Sequence, residues 1–171
     1  MKKYTILKNW HYAFFLFGRL FGWYHGKDRF EIKFKFSSEC WWNPPRNQDD
    51  YDLNKLFGLS FGLFSIHKDS VRFTWCPDFD NVGKIKIYGY VYDSNKKDHD
   101  SLYLCTVDVD KEYTGYLYLS GDKYIFQIGT DTIAMDNKTP DKKTQKEIYP
   151  YFGGNNKAII KMYIWVSFTN C

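Results

Sequence analysis

A chain of 171 residues with 44% apolar content can bury a core without disulfide staples. Its formal charge is +4, from 24 Lys and Arg against 20 Asp and Glu, and its only arginines are Arg19, Arg29, Arg46 and Arg72; this excludes the dense basic stripe of a duplex-DNA binder. Cys40, Cys76, Cys105 and Cys171 stand apart, with no Cys-x-x-Cys pair or His spacing suited to zinc, so the thiols read as free and no metal or other cofactor is expected.

Aromatic residues make up 21% of the chain, the composition that pleated, half-buried strands select. Lys2, Lys3, Lys8, His11 and Arg19 interrupt the N-terminal region, which lacks the clean apolar stretch of a secretory leader, so a cytoplasmic protein is expected. A first strand is predicted over Lys3–Tyr12. The run Ala13–Tyr24 (AFFLFGRLFGWY) is the most apolar, but it is too short to span a bilayer and carries Arg19 at its middle, so no membrane association is expected. It reads as a buried strand and turn or a short core helix; the alternative is an exposed patch, residues 13–24, that docks a partner or a second copy into a homo-oligomer.

In Arg29–Phe36, Phe30, Ile32, Phe34 and Phe36 alternate with Arg29, Glu31, Lys33 and Lys35, the signature of an antiparallel strand with one wet face. Further strands are predicted over Lys55–Phe64, Ser70–Trp75, Lys84–Tyr92, Ser101–Val109, Tyr113–Leu119, Lys123–Ile128, Thr132–Met135 and Ala158–Phe168. Ser120-Gly121-Asp122-Lys123 and Gly129-Thr130-Asp131 read as tight hairpins, and Asp93-Ser94-Asn95 opens a polar loop. Two long loops remain, Ser37–Asp52 and Asn137–Gly154, and loops of that length are often binding loops. Ten short strands without helical periodicity give an all-β fold: an antiparallel two-sheet β-sandwich of jelly-roll type, with residues 1–171 forming a single domain. A closed barrel is the alternative.

Within Ser70–Trp75 the pleat places Ser70, Arg72 and Thr74 on one face and Val71, Phe73 and Trp75 on the other. An Arg flanked by hydroxyls can hold a carboxylate or phosphate with both arms of its fork, while a cross-strand salt bridge is the structural alternative. Lys84–Tyr92 places Lys86, Tyr88, Tyr90 and Tyr92 on one face, a stacking platform if it pairs beside Arg72. His67 and Lys68 precede that strand at the rim. Trp41 and Trp42 are either a lid over a ligand or the plug at one end of the sandwich; adjacent on an extended segment, at most one of them is expected to be fully buried.

The chain has only four glutamates, Glu31, Glu39, Glu112 and Glu147, and no laminarinase-type Glu-x-Asp-x-Glu motif, so glycoside hydrolysis by a carboxylate pair is not expected. Asp78-Phe79-Asp80, Asp98-His99-Asp100 and Asp108-Val109-Asp110 space acids as calcium loops do, without the Gly and distal Glu of an EF-hand.

At His67-Lys68-Asp69-Ser70-Val71-Arg72-Phe73-Thr74-Trp75 and Pro150-Tyr151-Phe152-Gly153-Gly154-Asn155, the chain resembles a family of uncharacterised small all-β proteins from gut-type bacteria and their phages. Asp69 and Thr74 depart from the Asn and Gly of that pattern, and Ala158-Ile159-Ile160 replaces an Ala-Pro-His, removing a histidine. A looser likeness is to the concanavalin-like jelly rolls, which include legume-type lectins, laminarinase-type glycosidases and alginate lyases. Tyr151-Phe152-Gly153 resembles the late lyase motif Tyr-Phe-Lys, and Gln127-Ile128-Gly129 resembles its Gln-Ile-His without the His; Gly153-Gly154 otherwise reads as a turn needing positive φ.

The reading that results is a non-enzymatic protein capturing a small anionic ligand, a nucleotide or an acidic sugar. Its expected contacts are His67, Lys68, Ser70, Arg72, Thr74, Lys86, Tyr88, Tyr90, Tyr92, Trp42, Tyr151 and Asn155. The phage-like resemblance implies a nucleotide second messenger of host defence, sequestered in the host cytoplasm. A lectin-like carbohydrate module stacking sugars on tyrosine is the alternative, and a lyase or phosphodiesterase using His67 and Tyr151 is a further one.

Overall fold

The computed structural model describes residues 1–14, 23–42, 52–61, 69–93, 98–137, 144–153 and 156–171. Its strands are β1 (Lys2–Ile6), β2 (Ala13–Phe14), β3 (Trp23–His25), β4 (Arg29–Phe36), β5 (Asn54–Ser60), β6 (Ser70–Pro77) and β7 (Lys84–Asp93). They continue with β8 (Asp98–Asp108), β9 (Glu112–Ser120), β10 (Lys123–Ile128), β11 (Asp131–Asp136), β12 (Thr144–Ile148) and β13 (Met162–Asn170). One 3-10 turn, Ser38–Cys40, follows β4. No helix among the described residues is long and apolar enough to cross a membrane.

The strands form two antiparallel sheets. The seven-stranded sheet runs β11-β10-β9-β4-β13-β1-β2, and the six-stranded sheet runs β3-β12-β5-β6-β7-β8. Each sheet turns its apolar alternate residues toward the other: Phe73 of β6 meets Phe126 of β10 edge-on at 5.1 Å, Trp75 meets Phe36 of β4 at 5.0 Å, and Phe57 of β5 meets Phe168 of β13 at 4.4 Å. Phe30, Ile32, Phe34 and Phe36 are all buried, as the alternation of β4 requires. Gly89, on the inner face of β7, lets the sheets close: a Cβ there would meet Ile133, Phe126 and Met135 at 2.9–3.0 Å.

The hairpins between β9, β10 and β11 have two-residue turns, since Ser120 pairs with Lys123 and Ile128 with Asp131. Their first residues, Gly121 and Gly129, have φ of 56° and 58°, as such turns demand.

Several predicted bounds are corrected. The strand expected over Lys3–Tyr12 stops at Ile6, because Trp10 N–H turns back to the Leu7 carbonyl and Asn9 takes a φ of 65°. The last strand begins at Met162, not Ala158. Ala13–Tyr24 enters as β2, on the edge of the larger sheet beside β1, and leaves as β3, on the edge of the smaller sheet beside β12. Residues 15–22, the heart of the proposed docking patch, lie outside the described residues. The expected loop Asn137–Gly154 contains β12, whose inward residues Gln145 and Glu147 are polar and buried.

Candidate functional site

The site is built on the face of the six-stranded sheet that points away from the core. Because Val71, Phe73 and Trp75 pack inward, Ser70, Arg72 and Thr74 leave β6 on the other side. The register carries that face across neighbouring strands: Ser70 pairs with Tyr92, Arg72 with Tyr90 and Thr74 with Tyr88. On the far side, Tyr92 pairs with His99 and Tyr88 with Tyr103 of β8; toward β5, Ser70 pairs with Ser60 and Arg72 with Gly58. The expected juxtaposition of Arg72 with the tyrosines of β7 is therefore present.

Two bulges bring residues to this face that simple alternation directs inward. β5 carries an extra residue between Lys55 and Phe57, so Phe57 pairs with inward Phe73 while Lys55 pairs with outward Thr74. In β8 an extra residue lies opposite the step from Ile87 to Tyr88, which sends Cys105 inward and Tyr103 outward. Lys55 also exchanges both backbone hydrogen bonds with Tyr151, at 2.8 and 2.9 Å, and Tyr151 bridges in turn to Tyr12. Paired residues project to the same side, so Tyr12, Tyr151, Lys55, Thr74, Tyr88 and Tyr103 form one row across the sheet, roughly 24 Å long at about 4.8 Å per strand. Its ends are exposed, Tyr12 at 61% and Tyr103 at 49%.

Cations occupy the middle. Arg72 is 1% exposed, and its Nε donates to Ser70 Oγ at 3.0 Å. Burial lowers its pKa to about 10, with nearby Tyr90 acting the other way, so it stays charged at neutral pH. Lys55 donates to the Leu53 carbonyl at 2.7 Å, and its Nζ lies 4.5 Å from the centre of the Tyr90 ring. Burial, helped by the Arg72 charge and opposed by Asp52, lowers the Lys55 pKa to about 8. Among the described residues no carboxylate comes within ion-pair distance of Lys55. Two imidazoles stack on tyrosines beside these cations, His99 on Tyr90 at 5.2 Å and His11 on Tyr151 at 5.5 Å.

Other expected contacts have different surroundings. Lys86 lies on the same face of β7, but its ammonium is held by Asp78 at 3.1 Å and Asp80 at 3.6 Å. Trp42 is a plug and not a lid: it is buried against Trp75, Phe79 and Phe152, while Trp41 is half-buried and donates to the Asp78 carbonyl at 2.9 Å. His67, Lys68 and Asn155 lie outside the described residues. Gly153 does not take a positive φ; it is small because a Cβ would sit 2.6 Å from the Leu53 carbonyl oxygen, and its N–H donates to Asn54 Oδ1 at 2.9 Å. Gln127 is on the other sheet, where it accepts a bond from Tyr118 Oη, so it cannot join Tyr151 in a lyase-like set.

None of the four glutamates is on this face. Glu31 and Glu112 belong to the seven-stranded sheet and Glu39 to the 3-10 turn, while Glu147 points inward and accepts from Tyr24 Oη at 2.6 Å. Asp78 is occupied by Lys86, Asn81 and the Asp80 N–H, and no group of three potential metal ligands occurs among the described residues. Lys55, His99, His11, Tyr12 and Tyr103 were not foreseen as site residues.

No family model and no curated protein matches the chain. Solved structures do. An alginate lyase from Klebsiella pneumoniae superposes with a TM-score of 0.61 at 7% identity, over 85% of this chain and 60% of the lyase. A marine PL7 alginate lyase from Zobellia galactanivorans gives 0.52 at 12% identity, over 88% of this chain and 65% of that one. A GH16 protein of Bacteroides ovatus, solved with a mixed-linkage glucan product, gives 0.53 at 11% identity, over 98% and 80%. The chain thus spans less than two thirds of the length of either lyase. What this likeness establishes is the architecture: an all-β jelly roll of two antiparallel sheets, the fold of these carbohydrate-active proteins.

Proposed function

We propose that the outer face of the six-stranded sheet binds a carboxylate-bearing carbohydrate chain lying across the strands. The observation that carries this reading is the Tyr12-to-Tyr103 row, with half-buried Lys55 within it and buried Arg72 in the row alongside. Tyrosine faces accept the apolar sides of sugar rings, and a guanidinium close to a second cation, the Lys55 ammonium, suits a uronate carboxylate. The solved neighbours that cleave alginate act on a polymer of that chemistry, which supports the reading by analogy. A nucleotide could use Arg72 and Tyr90 as well, but it would leave most of the row uncovered. Since none of the four glutamates lies on this face, nothing there favours hydrolysis through paired carboxylates.

Elimination is the second reading, favoured by the two histidine–tyrosine stacks. Breaking a glycosidic bond next to a uronate needs a base for the proton α to the carboxyl and an acid for the leaving oxygen, and imidazole and phenol can supply both. Unsaturated sugar products formed by the parent protein and abolished by His11→Ala or His99→Ala would establish it.

A thermal-shift and calorimetric screen with oligo-uronates, neutral gluco-oligosaccharides and nucleotides tests the proposal. A uronate at a hundred times its Kd adds about 2.7 kcal/mol, roughly 5–10 °C for a chain this size. A shift with uronates that is reduced in Arg72→Met supports the reading; a uronate shift unchanged in Arg72→Met, a shift only with nucleotides, or none with any sugar, overturns it.

A further inference from the structure

The opposite surface of the sandwich carries a second arrangement of cations and rings. On the outer face of the seven-stranded sheet, Trp165 of β13 stands between Lys3 of β1 and Lys35 of β4 in direct register. Its ring lies 6.2 Å from that of Tyr163, at an interplanar angle of 45°. Lys3 Nζ is 3.8 Å from the centre of the Tyr163 ring and 5.4 Å from that of Trp165. Lys35 Nζ is 5.4 Å from Trp165, and Lys161 Nζ is 5.3 Å from Tyr163.

Three ammonium groups therefore converge on two rings. Among the described residues none of the three has a carboxylate within ion-pair distance. Four other sheet lysines differ: Lys33 pairs with Glu31, Lys84 with Asp108, Lys86 with Asp78 and Lys123 with Asp136. Two acids border the patch. Glu112 stands across from Lys35 on β9, and Glu39, hydrogen-bonded to Ser37, Ser38 and its own backbone N–H, feels the Lys3 charge without pairing with it. Like charges gathered over aromatic faces repel one another, and an anion placed among them relieves that repulsion.

We infer that this patch is a second binding site for an acidic polysaccharide chain, on the sheet opposite the first and independent of it. The cationic strip covers β1, β13 and β4, two strand spacings or about 10 Å, a width that fits one chain. Lysines pair with carboxylates as compact point charges, and the tilted Tyr163 and Trp165 rings give sugar rings apolar contact. Single-stranded nucleic acid would need open ring faces for its bases, and Lys3 already covers one face of Tyr163. With a site on each sheet, one molecule could tie two glycan chains together.

Lys3→Gln/Lys35→Gln/Lys161→Gln tests the inference, with Arg72→Met/Lys55→Met for the other face and Lys123→Gln as a control. Each protein is titrated calorimetrically with a defined oligo-uronate and run in native gels containing alginate, neutral β-glucan or single-stranded oligonucleotide. The expected result is that Arg72→Met/Lys55→Met still binds uronate. Adding the three lysine changes should then weaken that binding about tenfold or more, about 1.4 kcal/mol. Lys123→Gln should change nothing, and neutral glucan retardation should not respond to the lysine changes. If Arg72→Met/Lys55→Met alone abolishes uronate binding, the second site is refuted while the first stands. If that variant binds and the lysine changes have no effect, the patch is refuted. Tighter retention by oligonucleotide than by alginate at the same salt overturns the glycan assignment in favour of nucleic acid.

Discussion

Gly58 stands directly across from Arg72, and a Cβ on that glycine would lie 2.6 Å from the Arg72 Cα and 2.1 Å from the Val71 carbonyl oxygen. The missing side chain gives β5 the close approach that seats the guanidinium. Gly58→Ala is expected to push the two strands apart and cost about 1–3 kcal/mol or more. Urea unfolding would show it as a lower midpoint, and uronate binding should weaken with it.

Arg72 separates stability from binding. Methionine keeps the length of the arginine stem and fills the space that a truncation would leave void. Arg72→Met is expected to keep a cooperative urea transition and to weaken uronate binding by removing this face's contribution. A large stability loss with binding retained would assign Arg72 a structural role.

Lys55 gives a pH signature. Its folded pKa of about 8 lies below the ordinary 10.5. Below pH 8 the lysine is charged in both states, and the folded protein bears the full cost of burying it. Between about 8 and 10.5 the folded form is neutral while the unfolded form is charged, so that cost fades as pH rises. Lys55→Met should accordingly be more stable than the parent at pH 7, by up to about 3 kcal/mol, with the margin shrinking toward pH 10.5. Paired urea titrations at pH 7 and pH 10 check this, and uronate affinity should fall above pH 8 in the parent alone.

The thiols divide by burial. Desolvation raises Cys40 to about 12 and Cys76 and Cys105 to about 11, while Cys171 is exposed. Alkylation at pH 8 is expected to label Cys171 quickly and the other three only as the chain opens, with all four reacting in urea. Peptide mapping of the labelled protein distinguishes them.

Where apolar residues alternate without interruption, the sequence reads directly: Arg29–Phe36 and Lys123–Ile128 have the predicted bounds. Ser70, Arg72, Thr74 and the tyrosines of β7 were legible for the same reason. β12 was not, because its inward positions are Gln145 and Glu147, one donating to the Lys27 carbonyl at 2.6 Å and the other accepting from Tyr24. Polar groups held by distant partners leave no apolar period to find. Lys55 and Tyr103 were hidden by the bulges, since each shares the parity of an inward neighbour, Phe57 and Cys105. Tyr12 and Tyr151 join the face through isolated bridges between segments far apart in the chain, which no local pattern reports.

The position of β13 has a consequence for synthesis. Met162–Asn170 lies between β4 and β1, in the interior of the seven-stranded sheet. Until those residues leave the ribosome, the nascent chain holds β1 and β4 with facing edges unfilled, and neither can supply the other's partner. Completion of this sheet thus waits for β13, the last of its strands in chain order, and the open edges meanwhile are surfaces on which a holding chaperone would act or chains would misassociate.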